Sequence, residues 1–145
     1  MEAKDLMIGD WVKISHINKI GRVYRINRAN GRGNGWVAVI DGDYHEDYIE
    51  PIPLTPEILE KNGWKHEFDK KDYMVLYDLP KTESKEGVNV WMMWCIGEHN
   101  LDINKQSESI LRYNLCHSRV CIPCDYVHQL QHALRLCGIE KEIVL

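Results

Sequence analysis

The sequence predicts an α+β protein in two parts. Residues 1–52 form a small, strongly bent β-barrel. Residues 53–145 form an α+β part, a mainly antiparallel sheet packed by a C-terminal helix, with helices near 56–62 and 125–137. Three observations carry this reading. Short β-rich runs broken by glycine turns crowd the first 50 residues. A three-proline connector, Glu50-Pro-Ile-Pro-Leu-Thr-Pro56, then holds the chain extended and removes backbone donors. Beyond it, strand-like runs precede one amphipathic helix.

The first strand is Trp11 to Ile14, after the turn signal Gly9-Asp10, and the second is Arg22 to Ile26, after Gly21. Trp36 to Ile40 follows the glycine-rich loop Asn30 to Gly35, and Asp41-Gly42 signals a hairpin into Tyr44 to Ile49. Four such runs are too few for a sandwich, but short strands with glycine corners can curl until the sheet closes on itself.

After the connector, Thr55 is placed to cap a short helix, with Pro56 at its first position and Glu57 at the positive end of its dipole. Asn62-Gly63 ends it, Gly63 taking the left-handed position after the cap. Further strands are expected at Tyr73 to Leu79, Val88 to Ile96, Leu101 to Asn104, Leu111 to Leu115 and Val120 to Ile122, with a polar loop over residues 81–87. In the strand 88–96 one face is Val88, Val90, Met92, Trp94 and Ile96, and the other is Asn89, Trp91, Met93 and Cys95. Both are largely apolar, so the strand is covered on both sides or meets a partner through Trp91 and Met93. The helix 125–137 is capped by Asp125, carries the stripe Val127, Leu130, Leu134 and Cys137, and stops at Gly138. The tail 139–145 either returns as a strand or packs as an extended end.

Gly9-Asp10-Trp11-Val12 followed by Gly21-Arg22-Val23 resembles the openings of small SH3-like barrels of KOW type, over roughly residues 6–50. That likeness implies a domain that binds RNA, DNA or protein tails. Tyr48 to Trp64, Tyr126 to Gly138 and the opening Asp5 to Val12 are similar to small uncharacterised proteins of Bacteroides-type gut bacteria and their phages or mobile elements. This second resemblance implies a phage or mobile-element setting and no particular chemistry.

Charge is distributed unevenly. Residues 11–40 hold Lys13, Lys19, Arg22, Arg25, Arg28 and Arg32 and no acid, a +6 segment in a chain whose remainder is −10. Such a segment favours polyanions. With Trp11, Tyr24 or Trp36 to stack on unpaired bases, these residues are the candidate nucleic-acid contacts. The opposing reading pairs the cations with Asp41, Asp43, Glu46, Asp47 and Glu50 of the adjoining hairpin. A second candidate surface, for a protein partner, comprises Trp91, Met93 and the helix face His128, His132 and Arg135.

The five cysteines, without a secretion signal, read as reduced thiols. Cys121-Ile-Pro-Cys124 with His128, and Cys116 or His132 as fourth ligand, is a weak zinc candidate, and thiol redox at Cys121 and Cys124 is weaker still. Ordinary cysteines are preferred, and no cofactor is expected.

Enzyme patterns fail. Gly31-x-Gly33-x-Gly35 lacks the Lys-Ser/Thr of a phosphate loop, and Asp41-x-Asp43 with Asp47 lacks the closing Glu of a calcium loop, which is Ile52. No serine sits in a nucleophile elbow. The expectation is a non-catalytic, cytoplasmic binding protein, monomer or homodimer, with no membrane contact and with nucleic acid or a protein as partner.

Overall fold

A computed structural model describes residues 1–27, 35–70, 74–78, 90–97, 110–117 and 120–145. The expected strand 101–104 and the polar loop 81–87 lie outside these residues. The class is α+β: the described residues form two five-stranded antiparallel sheets and two α-helices. The chain divides into two compact units. One is Met1–Pro53 with Tyr126–His128, the other Leu54–Asp125 with Gln129–Leu145.

In the first unit β1 (Trp11–Ile14), β2 (Lys19–Asn27), β3 (Trp36–Val39), β4 (Gly42–His45) and β5 (Ile49–Glu50) form a curled sheet in the order β4-β3-β2-β1-β5. The curl resides in β2. Its first half pairs with β1 and its second half with β3, and its register shifts between Val23 and Arg25. A bulge of this kind bends the strand and increases its twist.

Alternation then sorts the side chains. Val12, Ile14, Val23, Val37, Val39 and Ile49 turn inward and, with Ala3 and Leu6, make the core. Met1, Ile26 and Tyr44 pack against its edge. Gly21 pairs with Val12 of β1, and a Cβ there would overlap the Val39 side chain of β3. The Gly9-Asp10 turn is built by hydrogen bonds. Asp10, wholly buried, accepts the Met7 N–H at 2.7 Å through its carboxylate, and its carbonyl accepts the Val23 N–H at 2.9 Å.

In the second unit α1 (Pro56–Lys61) starts as its sequence predicts. Thr55 Oγ1 accepts the Ile58 N–H at 3.4 Å and Pro56 opens the first turn. Gly63 takes φ 87°, the left-handed conformation that closes a helix. Asn62, read from sequence only as a stop, also fixes the tail. Its side chain donates to Ile58 O and Val144 O, both at 2.7 Å, and accepts the Val144 N–H at 2.8 Å. The tail 139–145 therefore ends without regular structure but anchored, with Ile143 wholly buried.

The second sheet comprises β6 (Lys65–Lys70), β7 (Met74–Asp78), β8 (Val90–Gly97), β9 (Ile110–His117) and β10 (Val120–Pro123), each paired with the next in sequence. β6 is a strand that sequence reading missed: Phe68 is its one apolar residue. α2 (Val127–Leu136) follows, with Val127, Leu130, Ala133 and Leu134 buried.

Candidate binding surface

The register of the first sheet determines where its cations lie. Lys13 faces Glu50 directly across the β1–β5 pair, and their charges meet at 3.5 Å. Arg25 and Asp43 flank Ala38 from either side, since Arg25 pairs with Ala38 on β3 and Ala38 with Asp43 on β4. The Arg25 guanidinium reaches over Ala38 and donates to both Asp43 oxygens at 3.0 Å. Ala38, though on the outer face, is consequently buried. Lys19 Nζ donates to Asp41 at 3.1 Å, and this hydrogen bond holds the Lys19 ammonium above its ordinary pKa. Arg22 lies opposite Trp11 in the β1–β2 register, its guanidinium carbon 4.6 Å from the ring centroid. Three of the six cations of the basic window thus meet acids of residues 41–50, and a fourth stacks on an indole. Arg28 and Arg32 lie outside the described residues.

Of the three aromatic candidates, Trp11 is half-buried beneath Arg22 and the other two are open. Tyr24, at the β2 bulge, is 50% exposed. Trp36, the first residue of β3, is 47% exposed and meets His45 of β4 edge-on at 5.5 Å. Trp36 stands opposite Asn27, the last residue of β2, whereas Tyr24 stands at the bulge between the Val39 and Ala38 rungs, toward the other end of β3. A second ring group, unforeseen from sequence, joins three turns and strands. His16 lies 5.6 Å from Tyr44 and 4.7 Å from Tyr48, centroid to centroid. No spacing signals it, because its members become neighbours only when the sheet curls.

Glu46 is an acid with a structural task. Its carboxylate accepts the Ala3 N–H at 2.8 Å. It is held below the ordinary carboxylate pKa first by that donor and then by the Gly35 N–H.

The helix and cysteine candidates divide. His128 is 5% exposed and stacked on Tyr126 with centroids 5.9 Å apart, so it is not on an open helix face. His132 is half-buried and Arg135 exposed. Trp91 and Met93 share one face of β8, with register partners Cys116 and Asn114 on β9. Cys124 is wholly buried, its Sγ donates to Ile122 O at 3.3 Å, and burial pushes its thiol up to about 12. A thiol of that kind is neither a ready nucleophile nor a ready ligand. Among the described residues no three His, Cys, Asp or Glu side chains gather as a metal group, and no helix is long and apolar enough to cross a membrane.

Comparison of the chain with protein-family models, curated proteins and solved structures finds no match.

Proposed function

We propose that the protein is a non-catalytic binding module whose N-terminal sheet is an SH3-like barrel. We assign single-stranded nucleic acid as its ligand, contacted along β2 and β3. The observation that carries this reading is the pair of half-exposed rings, Tyr24 and Trp36, on β2 and β3, the strands between which the acid-free sequence segment holding Arg28 and Arg32 runs. Rings supply stacking that any base accepts, and the arginines neutralise phosphates. Lys13, Lys19 and Arg25 contribute less than their number suggests, because each already has an acid partner. The resemblance of residues 48–64 and 126–138 supports a phage or mobile-element setting.

The test is anisotropy of labelled single- and double-stranded DNA and RNA, at low and moderate salt. Trp36→Ala loses one stacking platform, worth about 1–3 kcal/mol or roughly 5- to 150-fold in affinity. Wild-type protein that binds no oligonucleotide at low salt refutes the reading.

A protein partner is the second reading. It is favoured by Ile17, Ile20 and Ile40, exposed on the same unit. Light scattering of the protein alone and titrated with candidate proteins separates the two.

A further inference from the structure

Sequence spacing draws attention to Cys121 and Cys124, but the sheet pairs a different couple. In the β9–β10 hairpin Cys116 stands directly opposite Cys121. Opposed residues of an antiparallel pair share a face, with Cα atoms about 4.5 or 5.5 Å apart according to the slot. Both separations fall within the span of roughly 4.4–6.8 Å that disulfides bridge. The closing pair of the hairpin is His117 with Val120, so Cys116 and Cys121 are the next pair inward. Pairs alternate in kind along the ladder, which gives the cysteines the closer, non-hydrogen-bonded slot.

Register also indicates the face. One lateral row runs Lys65–Asp78–Trp91–Cys116–Cys121 across all five strands. Lys65, at one end of the row, is exposed, and so is Pro123, which shares the face of Cys121 two residues on. Leu115, next to Cys116 and therefore on the other face, is wholly buried. β10 is moreover an edge strand of the sheet. By register the couple thus shares its face with Lys65 and Pro123, on the edge strand and its neighbour.

We propose that Cys116 and Cys121 form a redox-active cross-strand dithiol that closes to a disulfide by exchange with a low-molecular-weight disulfide such as oxidised glutathione. One cysteine, as thiolate, attacks the glutathione disulfide, whose S–S bond breaks. A mixed disulfide forms and the first glutathione leaves as thiolate. The second cysteine, as thiolate, attacks the protein-side sulfur, the second glutathione leaves, and the intramolecular bond closes. Two protein thiols are oxidised, one external disulfide is reduced to two thiols, and the two protons pass to the departing thiolates. The bond would fasten β10 to β9 at the sheet edge and open again under reducing conditions. The buried Cys124 thiol, protonated at neutral pH, stays out of the exchange.

The full chain is equilibrated with mixtures of reduced and oxidised glutathione, quenched in acid, blocked with N-ethylmaleimide and digested with trypsin. Cleavage after Arg119 separates Cys116 from Cys121, so a bridge joins two peptides that otherwise part. The expected result is loss of two hydrogens, loss of two blockable thiols, and a linked peptide pair that persists in Cys124→Ser. In Cys116→Ser, Cys121 instead retains one glutathione. Phenylarsine oxide, which needs two neighbouring thiols, is expected to bind once per chain and to lose that binding in Cys116→Ser but not in Cys137→Ser. Three results each overturn the proposal: glutathione retained separately on Cys116 and Cys121, a bridge to another cysteine, or full reactivity of both thiols under excess oxidised glutathione.

Discussion

Replacing Asp43 by asparagine tests whether the acids of the β3–β4 hairpin hold the cationic window in check. Asp43 accepts two hydrogen bonds from Arg25 at 3.0 Å, and both side chains are about half exposed. The amide keeps the shape and removes the charge, so Arg25 becomes available to a phosphate. Each cation recruited to a single strand adds about 0.7 to the slope of log affinity against log salt. Between 50 and 200 mM salt, one further contact therefore steepens the loss of affinity by about 2.6-fold. Releasing Lys19 and Lys13 as well, through Asp41→Asn and Glu50→Gln, steepens it by about 18-fold. The assay is oligonucleotide anisotropy across a salt series.

Two controls make the outcome interpretable. Glu57→Gln, on α1, changes net charge equally without touching the first sheet, and should leave the slope alone. The Asp43→Asn unfolding midpoint should hardly move, because an exposed ion pair contributes about 0–1 kcal/mol. A slope identical in wild type and Asp43→Asn, with binding present in both, refutes the argument that the β4 acids compete with phosphate for Arg25.

Two further outcomes follow from the first unit. Gly21→Ala drives a methyl into Val39 and should cost about 1–3 kcal/mol in urea unfolding; Val39→Ala on top should recover part of that, and strictly additive effects refute the contact. Glu46 has a lowered folded-state pKa, so its contribution to stability is complete above the ordinary value of 4.5 and is lost as pH falls through the folded value. Glu46→Gln should flatten the acid limb of the stability profile, and superimposable limbs refute the role given to the Ala3 and Gly35 donors.

Local chemistry made much of the fold legible. Thr55-Pro56 and Asn62-Gly63 mark the ends of α1 because caps act within one turn. Trp11 to Ile14 and Trp36 to Val39 read as strands because β-branched residues alternate between glycine turns. β6 was illegible for the opposite reason: an edge strand tolerates charge, and Lys65, His66, Glu67, Asp69 and Lys70 leave no apolar period. The ion pairs were legible as a possibility but not as partners, since Lys13 meets Glu50 only through the β1–β5 neighbourhood. The cysteines show the limit most clearly. Cys-x-x-Cys gathers two thiols when the chain turns between them. In extended chain, residues three apart fall on opposite faces, and here the motif begins within β10. A hairpin instead brings together Cys116 and Cys121, for which no motif exists.

The charge step of the sequence and the charge layout of the fold lead to different expectations of range. A +6 run read linearly implies a field that draws polyanions from a distance. Folded, the same run lies beside an acidic hairpin, with opposite charges 3.0–3.5 Å apart at three places. Pairs so close form small dipoles, whose field decays faster than that of single charges, and salt at physiological strength screens what remains within about 8 Å. For these three pairs long-range steering is therefore a weak resource. On the proposed reading, recognition is made at contact, by rings and by groups that exchange one ionic partner for another. That requirement explains why, once binding at low salt is established, the change in salt slope when an acid is removed is the informative readout. A surface of paired charges can still bind a polyanion, but a phosphate gained by Lys13, Lys19 or Arg25 must displace a carboxylate, and Asp43→Asn isolates that exchange.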